Sequence, residues 1–502
     1  MNRFRCISSL LRATLKPYRA QFNLRWKLPA VTVCFAGSAI GMAAATSSVS
    51  SGKMDPNAMN ANAGFNHGYA SSELMSNMHQ RLSPEARAAE FVTKQCIIQG
   101  IPGCTVAVIK AGKLIWSYCY GYSDVSNNQL LTPYSIMRIA SITKPLTATG
   151  IAVLVQHAKI SLDETVYDLL ERLNNERAKK IRNTLKKKYP KFYNEYCKKI
   201  KILHLCNHTS GIRHYDSNPE YLSGKHYNSL IGVLSNFANE DIMFEPGTKY
   251  YYSSYGYIML GLVIEAVSNV KYGDFMHDEV VKPLGMNHTF LENDQSKIIP
   301  NQTKQYIRKA VDHEKLTDYI VEETEGGNKR VFEIARGGEK RPRYKDTKIR
   351  KLLNAPFCDC TIKLSSGAFL SCAIDVARFG YEVVLGEFLS NRIKKLVFET
   401  NLIIRPKNED NLDEDNEVEN DDIEDFGYKD IEYGLGWHVY RKILDPLTYT
   451  VEEICHGGGA NGGCAHLLIL PGQQLSVAVL MNLQQAKPTI SRDIAKFFYE
   501  EH

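Results

Sequence analysis

RIASITKP, Arg138–Pro145, places a serine three residues before a lysine, with a proline directly behind. On a helix, Ser141 and Lys144 share one face a single turn apart, which brings an ammonium close to a hydroxyl. Pro145 suits a first helical turn, where its missing N–H is not needed. The run that follows, PLTATGIAVLVQHAKI (145–160), has helical character. The serine then sits at a helix N-terminus, where backbone N–H groups point outward and favour developing negative charge. An S-x-x-K alone is a weak signal in a chain with 61 lysines and arginines, so its surroundings must decide.

Working outward, CTVAVIKAGKLIWSYCYGYSD (104–124) alternates β-branched and aromatic residues around Ala111-Gly112 and predicts a hairpin. Before it, SPEARAAEFVTKQCIIQ (83–99) predicts a helix with Ser83 as N-cap and Pro84 in the first turn. At the far end, AHLLILPGQQLSVAVLMNL (465–483) gives two strands around Pro471-Gly472, and a helix from Ile490 closes the chain. VYDLLERL, YGYIMLGLVIEAVSN and VARFGYEVVLGEF supply helices between. The pattern predicts an α+β fold, an α/β sandwich. One antiparallel sheet is built from both termini, with helices on both faces and a helical insertion between.

The bulk numbers bound the function. The 502 residues, 44% hydrophobic, suffice for one large domain or two ordinary ones. Net charge is +6, but the first 54 residues hold no acid and the remainder is close to neutral, which excludes a nucleic-acid-binding protein as a whole. That start, with Arg3, Arg5, Arg12, Lys16, Arg19, Arg25 and Lys27, reads as a mitochondrial transit peptide over 1–50. It contains an apolar stretch at 28–45, barely long enough to span a bilayer, which reads either as a segment for membrane association or as the rear of the presequence. Residues 51–82 read as a disordered linker and 83–502 as the folded domain. Twelve scattered cysteines form no framework. They read as buried free thiols, Cys358 and Cys360 included, with no metal or cofactor assigned.

Three segments read as inserts: 171–201, 308–357 and 405–430. Within the first, residues 177–201 carry eleven Lys or Arg against one acid; within the third, 409–425 carry eleven Asp or Glu and no base. Runs of this kind predict solvated loops or helix faces, with mutual or intersubunit pairing as the alternative. The polar 308–357 reads as a lid or loop.

A nucleophilic serine needs a proton acceptor and donors for an oxyanion. Lys144 offers the first. A tyrosine from EPGTKYYYSSYGYIMLG (245–261) can share that task, with Tyr250, Tyr251, Tyr252 and Tyr255 in competition. HGGGANGG (456–463) reads as a glycine run leading into an edge strand, where backbone can approach a substrate closely. HGGG also occurs in lipases, but no G-x-S-x-G follows here; the G-x-G-x-x-G spacing precedes a strand rather than a helix.

Taken in order, these stretches resemble the serine beta-lactamase and penicillin-binding-protein family, in its class C-like branch and its animal mitochondrial members. RIASITKPLTA resembles the first motif, HLCNHTSGI (204–212) the L-L-x-H-T-S-G segment, and YYYSSYGYIMLG the Tyr-x-Asn region. VVKPLGMNHTFL (280–291), SSGAFLSCAIDVARF (365–379) and YGLGW (433–437) match further stretches, and HGGG stands where Lys-Thr-Gly stands elsewhere. The resemblance implies the beta-lactamase/transpeptidase-like fold and these roles: Ser141 nucleophile, Lys144 its proton partner, Tyr252 second base, His456 the third-motif position. It also implies an oxyanion hole from the N–H groups of Ser141 and Gly459, with Gly458 beside it. Ser254 replaces the usual asparagine, which weakens the case for lactam hydrolysis. His208 reads as structural. Implied as well are peptide, amide or ester substrates, a role in mitochondrial lipid metabolism, and homo-oligomers or filaments in the intermembrane space. A scaffold on an inherited hydrolase fold is the rival reading.

Overall fold

A computed structural model describes residues 82–215, 218–292, 298–310, 319–323, 329–334, 340–342, 350–398, 403–404, 431–445 and 448–499. The readings made for 1–50, 51–81 and 405–430, the acidic run included, lie outside the described residues. Among those described, no helix is long and apolar enough to cross a membrane.

Among the described residues, nine strands form the main sheet: β1 (Gly103–Lys110), β2 (Lys113–Asp124), β3 (Gln129–Leu130), β4 (Ile403–Ile404), β5 (Ile431–Tyr433), β6 (His438–Asp445), β7 (Thr448–Ala460), β8 (Gly463–Leu470) and β9 (Leu475–Met481). Their order is β4-β5-β6-β7-β8-β9-β1-β2-β3, and every pairing is antiparallel. The sheet thus joins both ends of the domain through β1 and β9, from Cys104↔Met481 to Lys110↔Leu475. Ala111 and Gly112 both have positive φ, which fits the tight turn joining β1 to β2.

Alternation decides the layers. Val106 and Val108 of β1, with Val477 and Val479 of β9, face one core. That core also holds Val92 and Cys96 of helix α1 (Pro84–Gln99) and Ile494 and Ala495 of the C-terminal helix Ser491–Lys496. Ala107, Ile109, Ala478 and Leu480 point the other way, into the larger core. Successive side chains leave a strand on opposite faces, so strands buried on both sides read as continuous apolar runs. Ser83 caps α1 as the sequence predicts, accepting the Ala86 N–H at 3.3 Å.

The larger core is built around helix α2 (Thr143–Gln156), whose residues 143–154 are all buried. Around it lie α3 (Val166–Arg172), α4 (Glu176–Lys188), α5 (Ser254–Ser268) and α6 (Ala373–Val384). The tyrosine cluster at 250–253 is not a strand; it leads as irregular chain into α5.

Two expectations are corrected and one is narrowed: of the loop and helix-face forms expected for the basic segment 177–201, Glu176–Lys188 takes the helix. Ala178, Ile181 and Leu185 line one side of α4, and Phe192, Tyr193 and Cys197 extend that buried stripe. Six of its cations already face carboxylates of this domain: Arg177–Glu265, Lys179–Glu176, Lys186–Glu171, Lys191–Asp241, Lys199–Glu245 and Lys201–Asp163. Next, 308–357 contains strands. Tyr306–Ala310 pairs with Arg350–Asn354, and Tyr319–Glu323, Lys329–Ile334 and Lys340–Pro342 form a separate meander. Finally, the strand that HGGGANGG leads into, β8, is not an edge: it pairs with β7 on one side and β9 on the other. Gly457–Gly459 lie within β7, and the turn comes at Asn461-Gly462, where Gly462 has φ +86. Asn-Gly is the stronger turn signal, because both residues tolerate the required backbone.

The burial of α4 gives a test. Leu185→Ala should lower unfolding free energy by about 2–5 kcal/mol, whereas exposed Lys187→Ala should change it by less than about 0.5 kcal/mol. Urea titration of both variants reads the difference; equal, small effects would restore the loop reading.

Candidate active site

The chain enters the site along a short strand, Met137–Arg138, paired with Phe369–Ser371. Ala140 then takes φ +44, a left-handed conformation that a non-glycine residue avoids. Such a residue costs on the order of 1–3 kcal/mol and is held only where its surroundings over-determine it. Here it turns the chain sharply from strand into the 3₁₀ turn Ala140–Ile142 and on into α2. Ser141 is left half-buried at the start of the helix.

Lys144, fully buried one turn later, donates from Nζ to Ser141 Oγ at 2.9 Å and to the Ser366 carbonyl at 3.3 Å. The segment carrying Ser366 is clamped onto α2 by side chains. Thr147 Oγ1 donates to the Ser365 carbonyl at 2.7 Å, and the Phe369 N–H donates to Thr143 Oγ1 at 3.2 Å. Thus SSGAFLS, from far along the sequence, fixes where the ammonium can reach.

Of the competing tyrosines, Tyr252 lies beside this pair: Lys144 Nζ is 4.4 Å from its ring centroid. Tyr255 instead donates to Glu220 and stacks on Phe237. Tyr250 packs edge-on against His208. His208, read as structural, sits behind Tyr252 at 4.3 Å between ring centroids. Its Nδ1 accepts the Ser253 N–H at 3.1 Å, so the neutral ring carries its proton on Nε2, which is buried without a hydrogen-bond partner. Burial first, then Lys144 and His456, hold His208 well below the usual histidine range.

β7 approaches the serine turn edge-on. A Cβ at Gly458 would lie 2.4 Å from the Ile139 carbonyl oxygen, so only glycine lets the strand come this close. Gly458 therefore acts through packing rather than as a substrate donor. Gly459 has no such neighbour. Its carbonyl accepts the Tyr221 O–H at 3.4 Å. In extended backbone a residue's N–H and C=O leave on the same side, so the Gly459 N–H also faces Tyr221 rather than β8.

His456 is buried and wholly engaged. Nδ1 donates to the Gly457 carbonyl at 2.6 Å, so Nε2 accepts the Tyr433 O–H at 3.0 Å. Its side chain acts as support: it fixes Tyr433, which packs at 4.7 Å on His208 and at 6.4 Å on Tyr252.

A narrow, partly open cleft lies over Ser141, lined also by Ser254, Gly459, Arg138, Tyr221 and Lys363. Lys144 and Tyr252 sit behind the serine, not in the cleft wall. Arg138 grips Glu292 through both ends of its guanidinium, at 2.8 and 2.7 Å. Lys363, buried, lies 3.9 Å above the Tyr221 ring. Burial pulls its ammonium down, yet Tyr221, Cys360 and Cys358 leave it above the ordinary lysine value. Sequence reasoning missed Lys363, Tyr221 and Tyr433. Tyr433 lay inside the recognised YGLGW stretch, whereas the other two carry no local signal. The ten cysteines among the described residues are free thiols, and all but Cys119 are buried.

Comparison with known proteins places the chain in a family. Residues 85–499 match the beta-lactamase family. The bovine (Bos taurus) serine beta-lactamase-like protein LACTB, mitochondrial, is 26% identical over 465 residues, covering 76% of this chain and 71% of the relative. The human (Homo sapiens) counterpart is 24% identical over 448 residues with the same coverage. Among solved structures, a D-amino acid amidase from Ochrobactrum anthropi aligns with a TM-score of 0.56 at 17% identity, over 83% of this chain and 97% of the amidase. The octameric penicillin-binding protein homologue from Pyrococcus abyssi gives 0.54 at 19% identity, over 82% of this chain and 76% of the homologue. At such identities the structural likeness shows the fold alone. The family match, however, spans the sheet, the S-x-x-K helix and the glycine strand together, and the chain belongs to the beta-lactamase family.

Proposed function

We propose that the protein is a serine hydrolase working through an acyl-serine intermediate. The observation that carries this reading is the 2.9 Å contact between the fully buried Lys144 and Ser141 Oγ. Lys144 in its neutral form takes the Ser141 proton as Oγ attacks the substrate carbonyl carbon. The resulting oxyanion accepts hydrogen bonds from the N–H groups of Ser141 and Gly459. Collapse breaks the bond to the amine or alcohol leaving group, which receives the proton. Water then adds to the acyl-serine, giving its proton back through Lys144 with Tyr252 as the second base, and releases the acid. Ser254 lies in the cleft beside Ser141, where it meets the acyl group. Peptide or amide bonds are the proposed substrates, with esters as the alternative. The names of the mitochondrial relatives and the arginine-rich start support a mitochondrial location, and a role in lipid metabolism is proposed on resemblance alone.

A fluorophosphonate probe should label the wild type and leave Ser141→Ala unlabelled. Lys144→Met, which keeps the buried stem, should slow labelling by about 10²–10⁴-fold. Gly458→Ala should also cut labelling, since its Cβ would push β7 off the Ser141 turn, while Gly459→Ala should be tolerated. An unlabelled wild type, with folding confirmed by circular dichroism, would sink the enzyme reading.

The site's histidines set a pH dependence. Burial first, with neighbouring cations and histidines, holds His208 and His456 well below the usual histidine value, and brings His438 to about 4 and His466 to about 3. Each is neutral when folded but binds a proton when unfolded below about pH 6.5. Unfolding takes up protons in that window, so stability is full above about pH 6.5 and falls as acid is added, by up to about 1.4 kcal/mol per pH unit for each histidine. Glu265 and Asp375, whose carboxyls burial raises, act in the opposite direction, at lower pH. Urea midpoints between pH 8 and pH 5 should therefore drop on acidification; a flat profile would contradict the neutral, buried histidines.

Self-assembly is the second reading, favoured by the octameric relative. Sedimentation at low and high salt should show assemblies that dissolve as salt rises. A monomer under both conditions would remove it.

A further inference from the structure

The small sheet that leads to Ser141 has an unassigned cluster at its other end. Strand Phe369–Ser371 pairs with Met137–Arg138 on one side and Phe290–Leu291 on the other. Directly after it come Cys372, at the start of α6, and Asp375 in the first turn of that helix. Directly before Phe290–Leu291 comes His288. The cysteine sulfur, an imidazole nitrogen and a carboxylate oxygen of these three residues all lie within 4.8 Å of one another.

We propose that His288, Cys372 and Asp375 bind a divalent transition-metal ion of the zinc class. Cys372 and Asp375 are buried, while half-buried His288 opens the site to solvent. Asp375 Oδ2 accepts the His288 backbone N–H at 2.7 Å and the Thr289 hydroxyl at 3.1 Å, which fixes the carboxylate and leaves its second oxygen outside those bonds. Among the described residues no ion pair joins Asp375 to a lysine or arginine, and a buried carboxylate gains most from a cation. The His288 ring stacks on Tyr134 at 4.7 Å, which holds its orientation. A sulfur, nitrogen and oxygen donor set selects zinc-like ions over calcium or magnesium, which take oxygen donors alone. With three protein donors, the fourth position goes to water. The ion ties the ends of two adjacent strands, one of which holds the strand running into Ser141. No motif spacing announces the site, since His288 and Cys372 are 84 positions apart.

Cobalt(II) titration of the reduced, chelator-treated full chain tests this. Expected are tetrahedral d–d bands and a thiolate-to-cobalt charge-transfer band that saturate at one equivalent and vanish on adding zinc. Cys372→Ser should lose the charge-transfer band. His288→Ala, folded by circular dichroism, should weaken binding by more than about 10-fold. Cys358→Ser should bind as wild type does, which separates this site from the Cys358–Cys360 pair. An absent charge-transfer band in the wild type, or the same band in Cys372→Ser, overturns the proposal. Should Cys372→Ser fail to fold, unchanged binding by His288→Ala overturns it instead.

Discussion

A lysine amine with no exposure to water is the constraint around which this domain is arranged. Burying a polar group that deep costs roughly 2–7 kcal/mol unless hydrogen bonds answer it. Lys144 is answered by the Ser141 hydroxyl, the Ser366 carbonyl and the face of the Tyr252 ring. Those groups come from three separate segments, one of them more than 200 positions away. Each must be in register for the lysine to be tolerated at all. The clamps from Thr143 and Thr147 to residues 365–369 therefore stabilise the reactive geometry and the helix together.

A second constraint meets the first at the same turn. Ala140 is held in a left-handed conformation, and the β7 backbone passes so close that Gly458 has no room for a methyl. Strain on one side and close approach on the other leave Ser141 little freedom. A serine hydrolase gains from this, because catalysis rewards donors and nucleophile fixed before the substrate arrives. His456 contributes at one remove. Locked as the Nδ1–H tautomer, it orients Tyr433, which closes the aromatic wall behind Tyr252.

How much was legible follows from how local each signal is. The Ala111-Gly112 hairpin, the Ser83 cap and the Ser141–Lys144 spacing are written within a few residues, and the backbone follows them. The basic segment left loop and helix face undecided because its charges outweigh a modest stripe. Ala178, Ile181 and Leu185 keep helical spacing, yet eleven cations surround them. HGGGANGG leads into β8 as read, yet its first glycines already lie inside β7, where close approach to the Ile139 carbonyl requires Gly458. Lys363 and Tyr221 were illegible because neither belongs to a motif. They meet only once the chain has closed across 142 positions.

The short strands at 137–138, 290–291 and 369–371 deserve the weight usually given to the large sheet. They contribute little apolar burial, but they carry Arg138 into its two-point grip on Glu292 and hold the approach to Ser141. A two-residue pairing of this kind is marginal alone. Its persistence depends on what pins its ends: the Thr143 hydroxyl above the Phe369 N–H, and the Asp375 carboxylate beneath the His288 and Thr289 donors. A cation at His288, Cys372 and Asp375 would act on this same lever. Its effect on the serine would pass through strand position rather than through charge, since the cluster lies at the opposite end of the strand from the reactive turn.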